Sequence, residues 1–252
     1  MTGSEKMLQV FKCLILLLIP VFLLGCKHET LTPPAQPKRI LLVTKTQGFR
    51  HESIADGISM FRQIADTPQY VLTHTEMTDS FTKTYLARYQ LIILLNTTGN
   101  LFTTPQKEAL IEFVRAGGSV LGIHAASDAE YDWPWYNQML GAWFSDHPAI
   151  QEADCEVVMP GHVSAGGIPL IWKRTDEWYN FKSLQPDNRV VINLKESTYT
   201  GGKHGTDHPI SWYREFEGGR IFYTGMGHTS ETYSDPLFRQ HIKGAMDWLL
   251  DK

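Results

Sequence analysis

Short apolar runs alternate with helical repeats in the first half of this chain, and this alternation is the strongest constraint on its fold. The runs RILLVT, YVLTHTEM, YQLIILLN and SVLGI predict four strands, at residues 39–44, 70–77, 89–96 and 119–123. The third run is almost continuously apolar, as is typical of a central parallel strand that is covered on both faces. The alternation of strands with helices predicts a flavodoxin-like, doubly wound α/β sheet.

Helix signals separate the predicted strands. Apolar residues recur at helical spacing over residues 54–65, and Thr104-Pro105 is typical of a helix that begins with proline in its first turn. Beyond residue 133 the alternation is less regular, and a hairpin turn is expected at Gly218-Gly219. Added strands, some antiparallel, are predicted at residues 155–159, 189–194, 210–216 and 220–223. We therefore expect one domain over residues 39–252, a three-layer sandwich with a mainly parallel central sheet and added antiparallel strands.

The beginning of the chain has the pattern of an export signal. Residues 12–26, KCLILLLIPVFLLGC, combine a basic flank with an apolar run that is too short for a comfortable membrane span. Gly25 before Cys26 is similar to the end of a bacterial lipoprotein signal, so residues 1–25 are expected to be removed and Cys26 to carry lipid. An uncleaved membrane anchor is the alternative. Residues 26–38 are expected to be a proline-rich tether to the cell envelope, and Lys27 favours the outer membrane.

Composition limits the partners and the redox chemistry of the exported part. The net charge of −4 and a pI near 6.2 give no reason to expect nucleic acid, and the sequence contains no basic run. Cys13 lies in the signal and Cys26 is the expected lipid site, so Cys155 has no cysteine with which to form a disulfide. Cys155 stands in the alternating stretch ADCEVVM, which predicts a strand residue and not a nucleophile.

His124 stands where the fourth predicted strand ends, in GIHAASD. A side chain at such a corner projects above the carboxyl edge of a parallel sheet, where open α/β folds bind their ligands. His51 follows the first predicted strand and His228 follows the last, so we expect three imidazoles at one edge. Imidazole moves protons near neutral pH and binds metals. These three histidines are therefore candidate catalytic residues, and a divalent metal such as zinc is a candidate cofactor.

The sequence lacks the motifs that several classes of reaction require. The sequence has no G-x-S-x-G elbow, and GMGHTS lacks the third glycine of a dinucleotide fingerprint. HGTDH, at residues 204–208, contains a glycine and precedes a proline, so it predicts a loop. Asp176 and Glu177 are adjacent in DEWYNF and would point to opposite faces of a strand, so at most one enters a site and they are not a glycosidase pair. Trp178 and Tyr179 are candidates either for stacking on a sugar or for core packing.

Six segments together resemble the trehalose-utilisation (ThuA-like) family: GFRHESI, GIHAASD, FSDHP, DEWYNF, HPISWYREFEGGRIFYTGMGH and FRQHIKGAMDWLL. The resemblance extends from about residue 39 to the end of the chain. It implies a class I glutamine amidotransferase-like fold in which His124 replaces the nucleophilic cysteine, which excludes glutaminase chemistry. The resemblance implies that the family's characteristic positions are His51, His124, His147, Glu177, His208 and His228.

The same resemblance implies a role in carbohydrate utilisation, in which disaccharides are broken down through 3-keto sugars. A ketone at C3 makes the C2 proton acidic, and loss of that proton permits elimination of the substituent at C1. Such chemistry needs a base that titrates near the working pH and an electrophile that holds the enolate oxygen. We therefore expect a lyase, hydrolase or isomerase with His124 nearest the chemistry and with His51, His228 and Glu177 as further catalytic residues.

Two sets of contacts are expected around this chemistry. The candidate metal ligands are His51, His124, His147 and His208, and the candidate contacts to a carbohydrate are Arg50, Asp128, Trp178 and Tyr179. The alternative function is a carbohydrate-binding or scaffold lipoprotein without turnover, which would use Trp133, Trp135, Trp178 or Tyr179 as stacking platforms. A metal at the strand edge would favour catalysis, whereas an open aromatic groove without converging histidines would favour binding.

Overall fold

Eleven strands, five α-helices and four short 3₁₀ helices make up the regular structure of residues 36–251, the part of the chain that this computed structural model describes. The strands are β1 (Lys38–Val43), β2 (Tyr70–Thr75), β3 (Leu91–Leu95), β4 (Ser119–Ile123), β5 (Trp143–Asp146), β6 (Gln151–Val157), β7 (Ile171–Asp176), β8 (Asn180–Lys182), β9 (Arg189–Leu194), β10 (His208–Phe216) and β11 (Gly219–Thr224). The helices are α1 (Ile54–Ile64), α2 (Lys83–Leu86), α3 (Thr104–Arg115), α4 (Pro134–Leu140) and α5 (Pro236–Leu250).

Nine of these strands form one sheet in the order β2-β1-β3-β4-β11-β10-β9-β6-β7, and β5 pairs with β8 separately. The pairings from β2 to β11 are parallel, and those from β11 to β7 are antiparallel. All five residues of β3 are buried, as its apolar sequence predicts for a central strand. The order 2-1-3-4 followed by one more parallel strand is that of a flavodoxin-like fold, so the predicted fold class is confirmed.

The hairpin between β10 and β11 turns one residue earlier than the sequence predicts. Phe216 pairs with Gly219, which leaves Glu217 and Gly218 as the two turn residues, with φ angles of 46° and 95°. Both positive values are those of a type I′ turn, which suits the twist of a two-residue hairpin. Gly219 is needed for packing instead, because a Cβ atom there would lie 2.5 Å from the carbonyl oxygen of Gly118.

The antiparallel half of the sheet must curl back towards the parallel half. β7 is four strands from β11, which in a flat sheet would separate them by about 19 Å. Asp176, the last residue of β7, nevertheless accepts hydrogen bonds from the backbone of Gly227 and His228, just after β11. The curl therefore brings the end of β7 to the carboxyl edge of the parallel strands.

The predicted export signal, Cys26 and residues 27–35 of the predicted tether lie outside the described residues. Within residues 36–251, no helix combines the length and the apolar character needed to cross a bilayer. Cys155 is buried in β6, as predicted, and burial raises the pKa of its thiol to about 12.

His241 is a structural histidine in the core. Its Nε2 atom lies 2.8 Å from Ser211 Oγ, and its Nδ1 atom lies 2.8 Å from the carbonyl oxygen of Ser164. A carbonyl only accepts, so Nδ1 carries the proton and Nε2, which faces the Ser211 hydroxyl, is the bare nitrogen of the neutral ring. Burial disfavours the charged form and lowers the pKa of His241 to about 4.

The low pKa of His241 predicts a loss of stability in acid. Because its folded-state pKa lies below the ordinary value near 6.5, the unfolded chain binds the extra proton first. Its contribution is complete above pH 6.5 and is lost as the pH falls towards 4, by about 3 kcal/mol at most. His241→Gln should be less stable at pH 7.5 but should lose less free energy of unfolding between pH 6.5 and 4.5. Urea unfolding over this range tests the prediction, and equal pH slopes for the two proteins would contradict it.

Candidate metal centre

Three histidines and a glutamate meet above the carboxyl edge of the parallel strands. One nitrogen or oxygen atom from each of His51, His124, Glu177 and His228 lies within 4.8 Å of the others. The ring centroid of His51 is 4.9 Å from that of His124 and 5.0 Å from that of His228. The three histidines predicted to share one edge therefore converge there, and Glu177 completes what we call the histidine–glutamate cluster.

The backbone at His124 forms a sharp corner between β4 and the following turn. Its φ angle is 47°, in the left-handed region that residues other than glycine rarely occupy. Such a conformation persists where surrounding contacts fix it. Here the hydroxyl of Tyr223 donates to the His124 carbonyl oxygen at 2.8 Å, and Gly227, with a φ of 123°, lets the next loop pack closely on Ile123, because a Cβ atom there would lie 3.0 Å from its side chain. The corner directs the imidazole into the cluster.

Hydrogen bonding fixes which nitrogen of His124 faces the other members. Nδ1 lies 2.7 Å from the carbonyl oxygen of Gly225, so it must carry a proton. Nε2 is then the bare nitrogen of the neutral ring, and it lies 3.3 Å from Nδ1 of His228 and 3.5 Å from Oε2 of Glu177. Metal-binding histidines use this arrangement, in which a carbonyl orients the ring from behind. His124 has no exposed surface, so it suits an ion ligand better than a group that touches substrate.

His51 brings a buried nitrogen that lacks a protein partner. Its Nδ1 atom has no hydrogen-bond partner among the described residues. Burial, together with the neighbouring imidazoles of His124 and His228, lowers the pKa of His51 to about 3. The ring is therefore neutral at ordinary pH, and a bare imidazole nitrogen in such a site can bind a cation. Buried polar atoms without partners are uncommon in proteins, and a bound ion would account for this one.

Glu177 supplies the negative charge of the cluster. Burial alone would raise its pKa, but the adjacent imidazoles of His124 and His228 outweigh burial and hold that pKa below its usual range. His228 Nδ1 lies 3.1 Å from Glu177 Oε2, and this contact raises the pKa of His228 despite its own burial. The other carboxylate oxygen lies 3.0 Å from Nδ1 of His147, whose side chain is 41% exposed. His147 thus stands at the mouth of the site and outside the group of four.

Asp176 anchors the cluster from below, although sequence reasoning assigned it no role. Its carboxylate accepts the backbone N–H groups of Glu177, Gly227 and His228 at 3.0, 2.9 and 3.1 Å. It also accepts the Thr232 hydroxyl at 3.1 Å and pairs with the buried guanidinium of Arg174 at 3.3 Å. The two adjacent carboxylates therefore point in different directions, as the strand pattern predicts. Glu177 enters the site, and Asp176 fixes the backbone around it by hydrogen bonds.

Two predicted sugar contacts have other surroundings. Trp178 is fully buried and its indole N–H donates to the carbonyl oxygen of Gln151 at 2.8 Å, so the prediction that it stacks on a sugar is wrong. Arg50 pairs with Glu76 at 2.8 Å on the surface, and the prediction that it serves the site has no support in this contact. Tyr179 lies against the cluster, with its ring centroid 4.0 Å from that of His124, but it is buried and offers little surface for stacking.

His208 is not available as a metal ligand, which corrects a prediction from sequence. Its Nε2 atom lies 2.8 Å from the carbonyl oxygen of Tyr179, and its Nδ1 atom lies 2.8 Å from Glu196 Oε1. Both ring nitrogens are thus engaged by protein oxygens. Asp128 is half-buried four residues after His124 and accepts a hydrogen bond from the Tyr131 hydroxyl at 2.7 Å, while burial raises its pKa. It remains a candidate contact for a ligand.

A cavity of about 610 Å³ opens at the opposite edge of the sheet. Lys38, Gln90 and Gly118 line it, and these residues stand at the amino ends of β1, β3 and β4. The residues that line it include no histidine. The size of this cavity therefore does not outweigh the chemistry of the cluster at the carboxyl edge.

Comparison with known proteins agrees with this fold. The model of the ThuA family, described as trehalose utilisation, matches residues 39–249, so the chain belongs to this family and a role in trehalose utilisation is indicated. A protein described as ThuA-like from Bacteroides uniformis is 24% identical with a TM-score of 0.75, over 88% of this chain and 94% of that chain. A second from Parabacteroides merdae is 20% identical with a TM-score of 0.67, over 86% and 91%. No curated protein matches the sequence.

The anchoring role of Asp176 predicts a large effect of Asp176→Asn on stability. The substitution leaves the buried Arg174 without its nearest carboxylate and places an amide beside backbone N–H groups. The free energy of unfolding should fall by about 3 kcal/mol or more. Glu152→Gln is the matched control, since Glu152 pairs with Lys173 on the surface, and it should cost about 1 kcal/mol or less. Denaturant unfolding measures both, and equal small effects would refute the anchoring role.

Proposed function

We propose that this member of the ThuA family is an enzyme of carbohydrate utilisation that holds a divalent metal, such as zinc, in the histidine–glutamate cluster and acts on keto sugars from disaccharide breakdown. The observation that carries the proposal is the convergence of three imidazole nitrogens and one carboxylate oxygen within 4.8 Å. Family membership supports the carbohydrate context. It does not name a reaction, which we infer from the chemistry of the site.

The donor set fits a first-row divalent cation. Zinc binds imidazole nitrogen and carboxylate oxygen at about 2.0–2.2 Å, so its ligand atoms stand roughly 3–4 Å apart. Small side-chain rotations would bring atoms that already lie within 4.8 Å to that spacing. The carbonyl that orients His124 from behind favours an ion at the bare Nε2 of that ring, and the ring of His51 has a buried nitrogen without a protein partner. The carboxylate of Glu177 would balance part of its charge.

Elimination from a 3-keto glycoside is the reaction that this site suits best. A divalent cation, when bound, would stabilise the negative charge that develops on the ketone oxygen. His147 is the exposed imidazole at the mouth, and Glu177 orients its ring, so we assign it the transfer of the C2 proton. The electron pair of the C2–H bond forms the C1–C2 double bond. The C1 substituent leaves with its bonding pair and receives the proton that His147 took from C2, which returns the imidazole to its starting state.

We also propose that the protein is exported and attached to the bacterial cell envelope, in the outer membrane, through lipid on Cys26. The support is the sequence of residues 12–26, with its basic flank, short apolar run and Gly25-Cys26 ending. Two lipid chains on one cysteine would hold the domain stably at a membrane. The remaining tether would let the domain work at a short distance from that surface.

The first prediction concerns metal and turnover together. Purified protein should contain about one divalent metal ion per chain, and His51→Ala and His124→Gln should lose it, because each removes a ligand nitrogen. Turnover of 3-keto-trehalose should fall about 100-fold or more in both variants. His74→Ala is the control, since His74, in β2, is hydrogen-bonded to Thr44 and lies outside the cluster, and it should keep metal and activity.

Elemental analysis and product chromatography read out these variants. A folded His124→Gln protein that turns over the sugar normally would refute the proposed chemistry. Sugar binding without any turnover would instead assign the chain to the class of carbohydrate-binding lipoproteins.

The second prediction concerns the anchor. Cys26→Ser should release the protein from bacterial membranes or leave it as an unprocessed precursor, because no other residue can take the lipid at that position. Cys155→Ser is the matched control: its thiol is buried in β6, so membrane attachment should not change. Fractionation with immunoblotting measures both. Unchanged attachment of Cys26→Ser with its signal intact would support a simple membrane anchor and contradict the lipid site.

A further inference from the structure

Phe49 is an exposed aromatic residue beside the histidine–glutamate cluster. Its side chain is 64% exposed, and its ring meets that of His51 edge to face, with the centroids 4.8 Å apart. Its loop is held firmly, because the Thr98 hydroxyl donates to the Phe49 carbonyl oxygen at 2.9 Å and accepts from Gly48 N–H at 3.2 Å. The ring is therefore presented to solvent by an anchored backbone.

The loop after β3 links the Phe49 loop to the loop after β4, which carries polar side chains. Gly99 N–H donates to the carbonyl oxygen of Asp128 at 3.0 Å, and Glu130 N–H donates to that of Gly99 at 3.2 Å. The loops after β1, β3 and β4 are thus joined side by side. These loops carry what we call the rim, which we define by Phe49, Asp128 and Tyr131 with Lys182 from β8; the Tyr131 hydroxyl donates to Asp128 at 2.7 Å. Lys182 Nζ lies 4.2 Å from the centre of the Tyr131 ring.

The rim combines groups that differ in kind and suit one class of ligand. A pyranose ring has a face of C–H groups that packs on an aromatic ring, and hydroxyls around its edge that both donate and accept hydrogen bonds. Phe49 offers the aromatic face. The Asp128 carboxylate accepts from hydroxyls, and the Lys182 ammonium donates to them. A purely apolar ligand would make no hydrogen bonds to Asp128 or Lys182.

We propose that this rim binds a pyranose ring of the glycoside, with Phe49 as its stacking face and Asp128 and Lys182 as partners of its hydroxyls. The inference rests on the proposed function for the class of ligand, and it assigns the sugar contacts to residues other than Trp178 and Tyr179. A single exposed apolar residue is ordinary on a protein surface. Leu170 is such a residue, 62% exposed and directly before β7, whereas Phe49 touches a member of the cluster.

Titration calorimetry of the full chain with trehalose tests this assignment. Phe49→Ala should weaken trehalose binding about tenfold, since it removes the stacking face, and Asp128→Asn should weaken it by a similar factor. Leu170→Ala should bind trehalose as the wild type does. Leu170 is similarly exposed, but it lies before the first residue of β7, whereas Glu177 of the cluster follows the last. Metal content and thermal stability of Phe49→Ala should match the wild type, because its ring is outside the core.

The outcomes separate the rim from the metal centre. Wild-type affinity for trehalose in both Phe49→Ala and Asp128→Asn would overturn the inference, and so would a wild-type protein that does not bind trehalose. If His51→Ala loses metal and turnover while Phe49→Ala binds trehalose normally, the proposed function stands and the rim assignment falls. If Phe49→Ala loses trehalose binding while the cluster variants keep full turnover, the rim stands and the proposed function falls.

Discussion

The carboxylate of Asp176 is the constraint on which the site depends. One buried side chain accepts the N–H groups of Glu177, Gly227 and His228, and so joins the end of β7 to the loop after β11. These two segments are four strands apart in the sheet, and each carries a member of the cluster. Arg174 neutralises the charge of Asp176 in the interior. These hydrogen bonds hold the end of β7 beside the loop after β11.

The cluster itself balances charges that burial would otherwise suppress. Glu177 remains ionised because the imidazoles beside it outweigh its burial, and His51 remains neutral because it is buried and other imidazoles lie beside it. Opposite shifts in the pKa values of neighbouring groups are common at functional sites and also occur in structural ion pairs. What favours a metal here is geometry: one ligand atom from each of the three histidines and from Glu177 lies within 4.8 Å of the others. Family membership adds the carbohydrate context.

The parallel half of the fold and three members of the site were accessible from sequence because both follow local rules. Buried runs predict strands, and a histidine directly after such a strand must lie at the carboxyl edge. The predictions that Trp178 contacts sugar and that His208 binds metal failed because burial and hydrogen-bond partners depend on distant residues, here Gln151 and Glu196. Asp176 was recognisable only as one of two adjacent carboxylates. Its role arises from the curl of the sheet, which no local pattern encodes.

The most direct test of the metal centre is anomalous diffraction from crystals of the protein grown with zinc. Data collected on both sides of the zinc absorption edge locate the ion independently of any assumed reaction. We predict one strong anomalous peak within bonding distance of His51, His124, Glu177 and His228, at about 2.0–2.2 Å from their nitrogen and oxygen atoms. Well-ordered side chains at these four positions without a peak between them, or a peak only at surface histidines, would contradict the account.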